Sequence, residues 1–297
     1  MEPTIQGGGG KPSKVESIKI ASEYLKTFVA DEIPNDSTHI SEDAATVLKF
    51  HGSYQQDNRD ERTKRSRAGQ EKAYGFMVRI RMVGGAMTAD QFLACSTLAR
   101  EVGNGTLRIT TRQEFQLHGV LKRDLAQTIG TINRILMSTL AACGDVERNV
   151  LCCPAPITDQ IHADMTDDAL RWASHCAPRA SSYWDIWLDG EKIQSLPAAG
   201  PSLVPTPNDD PVEPIYGKAY LPRKFKSAFA LPEDNCTDLL ANDLGFLAIA
   251  ENGVLVGYNV VVGGGLGTTP SAQKTFPYLA KPLCYVERSK YKEVGEA

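Results

Sequence analysis

The chain has 297 residues, enough for about two domains, because single hydrophobic cores stop growing near 250 to 300 residues. Hydrophobic residues make up 42% and charged residues 23%, which excludes wholesale disorder, and the net charge of -4 gives no general pull toward nucleic acid or an anionic membrane. No stretch approaches the roughly 18 uninterrupted apolar residues of a membrane span, and the first 25 residues lack the apolar core of a signal peptide. The expectation is a cytoplasmic protein without a signal or transit peptide, whose anion sites must be built locally.

The glycine run Gly7 to Gly10 reads as a flexible tail. Residues 1–70 are mostly polar, an N-terminal arm with one predicted helix from Ser13 to about Ala30 and a charged run from Arg59 to Arg67. Interspersed acids make that run a solvated arm more readily than a nucleic-acid patch. From Phe76 to Arg81 the alternation predicts a strand, and Gly84-Gly85 marks a turn. Thr88 and Gln91 have capping-box spacing for a helix carrying Phe92, Cys95 and Ala99 on one face. Leu107 to Thr110 and Glu114 to His118 read as short strands, followed by a helix from about Asp124 to Ala141. The order β, α, β, β, α is most of a ferredoxin-like unit.

Beyond Cys143, a strand is predicted at Arg148 to Cys152, an amphipathic helix around Asp167 to Cys176, and a strand at Tyr183 to Leu188. A proline-rich segment from Pro197 to Pro214 is too long for an ordinary connection. A strand follows at Lys224 to Ala230. Phe246 to Ala250 and Val254 to Val262 flank Asn252-Gly253, the strongest short hairpin signal. Tyr285 to Ala297 reads as a charged stretch without a closing strand or cap.

Seven cysteines are scattered without the rhythm of a disulfide framework. Most read as small buried hydrophobes, and the vicinal Cys152 and Cys153 cannot form a C-x-x-C clamp, so no metal ligand is assigned. Cations gather on predicted strands: Arg79 and Arg81, Arg108 and Arg112, Arg148, then Arg223, Lys224 and Lys226. Residues two apart share a strand face. One reading makes these solubility charges on edge strands; the other makes them converge on a polyanionic ligand, since unpaired buried charge is costly. His118 lies in a dense polar segment, where a lone strand histidine is more often structural than a ligand.

Several blocks occur in order: K-F-H-G-S-Y-Q-Q-D-N-R-D-E-R (Lys49 to Arg62), L-R-I-T-T-R-Q-E-F-Q-L-H-G (Leu107 to Gly119), A-C-G-D-V-E-R-N-V (Ala142 to Val150), E-P-I-Y-G-K-A-Y-L-P-R-K-F-K (Glu213 to Lys226) and N-V-V-V-G-G-G-L-G (Asn259 to Gly267). They resemble the signature blocks of sulfite reductase haemoproteins, most closely the ferredoxin-dependent branch and its N-terminal half.

The resemblance implies an α+β fold: a ferredoxin-like half-domain at 71–143, then an α/β siroheme and substrate-binding domain at 144–297. It implies siroheme and a [4Fe-4S] cluster, six-electron assimilatory reduction of sulfite to sulfide, and ferredoxin as electron donor, with a flavoprotein as the alternative. By position, Arg108, Thr110, Thr111, Arg112, Gln116 and His118 match groups that grip siroheme, and Arg81, Arg148, Lys224 and Lys226 match sulfite-binding cations. The pair Lys224 and Lys226 favours sulfite over nitrite; nitrite reduction and a non-catalytic siroheme or anion-binding module are the competing functions. The family's C-x5-C and C-x3-C cluster pattern is absent here, as is its pseudo-symmetric second half. The corresponding expectation is an incomplete, inactive fragment.

Overall fold

The computed structural model describes residues 12–189, 212–268, 272 and 274–297. The glycine run at 7–10 and the proline-rich segment up to residue 211 lie outside the described residues.

Ser13 opens α1 (Lys14–Ala21) with a complete capping box to Glu16. The helix is shorter than predicted. Glu23, Tyr24, Leu25 and Phe28 all take positive φ, so the chain turns before the short α2 (Val29–Glu32). The remainder of the supposed polar arm enters the fold: α3 (Glu42–Leu48) buries Ala44, Val47 and Leu48, and β1 (Ser53–Asp57) pairs with the next strand. The charged run forms α4 (Arg59–Arg67) without a buried residue, the solvated face its composition predicts.

The expected ferredoxin-like order then appears as β2 (Tyr74–Ile80), α5 (Ala89–Glu101), β3 (Leu107–Ile109), β4 (Phe115–Val120) and α6 (Leu125–Arg134). Thr88 and Gln91 form the predicted capping box, although Phe92 points outward, 47% exposed. The sheet order is β1-β2-β4-β3, antiparallel throughout. The second helix ends seven residues early because Leu136 adopts a left-handed φ of 62°. Leu140 nevertheless reaches the core from a loop.

The following region departs more from expectation. Residues 146–151 make only isolated parallel bridges, Glu147 to Phe225 and Leu151 to Ala228, instead of a full strand. The amphipathic helix α7 (Gln160–His175) begins earlier than predicted, with Asp159 as its N-cap. Tyr183 to Leu188 is helical, not extended: α8 (Ser182–Trp187) buries Tyr183, Trp184 and Trp187, an apolar run whose period alone cannot distinguish helix from strand.

The second sheet comprises β5 (Ser227–Ala230), β6 (Leu244–Glu251), β7 (Val254–Val262) and β8 (Lys281–Glu287), in that order. The hairpin turns at Asn252 and Gly253, both at positive φ as the sequence signal requires. β8, antiparallel to β7, and α9 (Tyr291–Glu296) replace the predicted charged tail. Trp172, Phe229, Phe246, Tyr258 and Tyr291 form the aromatic core beneath this sheet. Among the described residues, no helix is long and apolar enough to cross a membrane.

Gly52 links α3 to β1 at φ +83°, where an added Cβ would lie 2.1 Å from the Thr139 carbonyl oxygen. Gly52→Ala therefore combines backbone strain with a clash against main chain. The expected outcome is a loss of about 2–4 kcal/mol, read from urea denaturation. An unchanged midpoint would contradict this close approach.

Candidate functional site: a cationic cavity between the two sheets

The turn between β3 and β4 reaches across to the second sheet. Thr110 Oγ1 accepts from the Arg112 and Glu114 amides, and Gln113 takes φ +57°, which bends the chain sharply. Arg112 donates to the Asn149 carbonyl (2.5 Å), to the Ser227 carbonyl (3.3 Å) and to Asn242 Oδ1 (2.9 Å). Asn149 returns a bond to the Arg112 carbonyl at 2.8 Å and holds the Met82 carbonyl at 2.7 Å. Gln113 pairs with both backbone groups of Cys152.

These ties leave a cavity of roughly 430 Å³ between the sheets. Its wall carries Arg79 from β2, the Thr110–Arg112 turn, Glu114 and Gln116, Arg148, Lys224 and Lys226 on the approach to β5, and Asn242. Five of its lining side chains are Lys or Arg, so these cations, from separate segments, converge on one cavity. Among the described residues, neither lysine makes an ion pair. Burial lowers the pKa of both lysines; neighbouring Arg148 adds to the effect at Lys224, and Lys224 adds to it at Lys226.

Two acids inside this region were not singled out by the sequence. Glu114 is 1% exposed, 3.7 Å from Arg79 Nε, and burial pushes its carboxyl up to about 7 against the opposing pull of Arg79 and Arg148. Glu147 is also buried and raised to about 7 by desolvation, although it accepts a 2.6 Å bond from Ser227. One oxygen of each carboxyl has no hydrogen-bond partner. Alternation identifies neither, since Glu114 sits at a turn and Glu147 in an irregular segment.

The predicted residues divide. Thr110, Thr111, Arg112, Gln116, Arg148, Lys224 and Lys226 line the cavity. Arg81 does not: it is 1% exposed and donates to the Ala173 carbonyl on α7 at 2.9 Å. Arg79 takes the position on the wall. The two-residue rule fails here because β2 ends at Ile80 and Arg81 bridges instead to Ser138. The strand register contained the useful signal, because Arg79 lies directly opposite Gln116. Arg108 is exposed on β3, outside the lining set. His118 also stands behind the wall: with the Gln116 amide oriented to satisfy both neighbours, its oxygen accepts from Arg79 (2.7 and 3.2 Å) and its nitrogen donates to His118 Nε2 (3.1 Å).

The fit to implied cofactors differs between them. Threonine hydroxyls, Gln116 and Arg112, whose buried Nε lacks a partner, suit the carboxylates of a tetrapyrrole. The cysteines do not suit a four-thiolate cluster. Cys95, Cys143, Cys152 and Cys176 are separately buried, as most of the seven were expected to be, while Cys153 is half-buried and Cys236 and Cys284 are exposed. Among the described residues, the one convergent group with metal-ligating atoms contains only two cysteines and an aspartate.

Comparison with known proteins agrees with this architecture. The family model described as nitrite and sulphite reductase 4Fe-4S domain matches residues 143–297, and the nitrite/sulfite reductase ferredoxin-like half domain matches 68–134. The chain is 46% identical over 293 residues to the sulfite reductase (NADPH) hemoprotein beta-component of Geobacillus kaustophilus, covering 98% of this chain and 50% of that protein. It is 44% identical over 297 residues to the identically named Staphylococcus saprophyticus protein, covering 100% of this chain and 50% of that one. The chain thus spans about half the length of the curated relatives it matches. These relatives are named for NADPH, so the expected ferredoxin branch finds no support in them. In fold, the chain resembles the solved Mycobacterium tuberculosis NirA protein with a TM-score of 0.62 at 21% identity, over 96% of this chain and 46% of that one. On the strength of the family match and the fold, this chain belongs to the nitrite and sulphite reductase family.

Proposed function

We propose that this chain provides the anion-binding wall of a siroheme-dependent sulfite reductase, which carries out six-electron assimilatory reduction of sulfite to sulfide. The supporting observation is the convergence of Arg79, Arg112, Arg148, Lys224 and Lys226 on one cavity. Five cations held together repel one another, and a bound oxyanion relieves that repulsion while they hold its charge. The relatives' names favour sulfite over nitrite and NADPH over ferredoxin as the ultimate electron source.

In this reading residues 71–143 are the ferredoxin-like half-domain and 144–297 the siroheme and substrate domain. Thr110, Thr111, Arg112 and Gln116 hold siroheme carboxylates. Arg79, Arg148, Lys224 and Lys226 meet sulfite. Arg81, Arg108 and His118 act from behind or beside the wall; His118 is a positioning residue that orients Gln116 and through it Arg79. When bound, siroheme supplies the iron and the route for electrons. The cluster's four thiolates would come from outside this sequence, and the cysteines of this chain contribute none.

The chain's own chemistry is charge neutralisation and proton delivery. Loss of sulfite oxygen as water requires protons at the departing oxygen. Lys224 and Lys226, with lowered pKa values, give up protons more readily than ordinary lysines. Glu114, poised at about 7 beside Arg79, can resupply a proton near neutrality.

In the complete siroheme-loaded protein, Arg79→Ala is expected to reduce sulfite turnover by at least about 100-fold while leaving stability nearly intact. Arg81→Ala is expected to act chiefly on stability. Parallel measurements of turnover and thermal midpoint separate them, and the reverse pattern would reject the assignment of Arg79 to the wall.

Glu114 also predicts a pH effect. Its folded pKa of about 7 exceeds the ordinary 4.5, so its contribution to stability is fully present below 4.5 and is lost as pH rises through 7. Glu114→Gln should flatten the fall in stability between these limits by roughly 1–3 kcal/mol, measured by urea denaturation across that range. An identical pH slope in wild type and variant would show that Glu114 does not titrate there.

A further inference from the structure

On the far side of the cavity wall, two loops bring together three side chains that the proposed sulfite chemistry leaves unused. Cys153 follows the segment that bridges to β5, while Asp234 and Cys236 lie in the loop after β5. The Cys153 thiol donates to Asp234 Oδ2 at 2.7 Å and the Cys236 thiol to Asp234 Oδ1 at 2.7 Å, with the two sulfurs 3.9 Å apart. One potential ligand atom from each residue falls within a 4.8 Å group.

From this geometry we infer a binding site for a zinc-class divalent ion, with Cys153, Cys236 and Asp234 as its protein ligands. Two zinc–sulfur bonds of 2.3 Å in a tetrahedron place the sulfurs about 3.8 Å apart, close to the separation observed. The Asp234 carboxylate already contacts both sulfurs, so one of its oxygens can take the third position after a small rotation. Cys153 is half-buried and Cys236 exposed, leaving an approach for the ion and an open fourth position for water.

The surroundings suit a cation. The arrangement joins a carboxylate to two groups that become anionic once their protons leave, and Cys236, held by the Asp234 carboxylate, is raised to about 12 in its thiol form. Binding must therefore displace protons: one metal ion enters, two metal–sulfur bonds replace two S–H bonds, and two protons pass to solvent without any change of oxidation state.

The consequence is mechanical. Leu151 lies two residues before Cys153, and Thr237 and Asp238 follow Cys236 directly; all three line the anion cavity. An ion at this position clamps two parts of the cavity wall together. Cys152 takes no part, because its sulfur faces Thr166 Oγ1 at 3.9 Å.

The test uses the 297-residue chain, reduced, stripped with chelator and titrated with zinc against a chromophoric competitor. One zinc per chain is expected, with about two protons released on binding at neutral pH. Cys153→Ser and Cys236→Ser should each weaken binding at least 100-fold and Asp234→Asn about tenfold, while Cys152→Ser should leave it unchanged. Cobalt in place of zinc should give thiolate-to-cobalt charge-transfer absorption that disappears in Cys153→Ser. Far-UV circular dichroism confirms that the variants are folded. Failure of the folded wild-type chain to retain zinc against the competitor, or equal retention by the Cys153→Ser/Cys236→Ser double variant, overturns the site.

Discussion

The reciprocal clamp between Arg112 and Asn149 fixes the relation between the two sheets. Arg112 donates to the Asn149 carbonyl and Asn149 donates back to the Arg112 carbonyl, so two backbone acceptors are met by two side-chain donors in one exchange. Such a bond to a charged donor is stronger than a neutral one, and losing either partner leaves a buried group unpaired. Asn242 and Ser227 extend the clamp into the second sheet, and Asn149 extends it back to Met82, two residues beyond β2.

The clamp makes possible an arrangement that electrostatics alone opposes. Five cations share one cavity, and the buried acids nearest them, Glu114 and Glu147, are raised toward neutrality by desolvation. The local imbalance of charge is thus greater than a count of acids and bases suggests, although the whole chain is acidic at -4. A rigid scaffold can hold such like charges close because the cost is met by packing elsewhere, particularly the aromatic cluster of Trp172, Phe229, Phe246 and Tyr258. An anion then binds to donors that need little rearrangement to receive it.

Much of this was legible in the sequence where one local signal dominates. Capping-box spacing marks the start of α5, Asn252-Gly253 marks the hairpin, and the 71–143 pattern gives its β, α, β, β, α order. Local signals failed where tertiary structure decides the outcome. Tyr183 to Trp187 is apolar enough for a buried strand or helix, and packing selects helix; Leu136 ends α6 through a backbone conformation that its side chain does not announce. Most residues matched through family blocks line the cavity, whereas Arg81, matched in the same way, is buried behind it, and the shared face that a two-residue period assigns to Arg79 and Arg81 ends with the strand at Ile80. Glu114, Asn149 and the pairing of Cys153 with Cys236 depend on contacts distant in sequence, for which a single chain offers no period to read.

The most direct test of the cavity's role is a crystal structure of the complete siroheme-loaded protein with sulfite bound. Sulfite oxygens are expected within hydrogen-bond distance of Arg79, Arg148, Lys224 and Lys226, with siroheme carboxylates against Thr110, Thr111, Arg112 and Gln116 and Arg81 clear of the anion. Sulfite bound away from these four cations would contradict it.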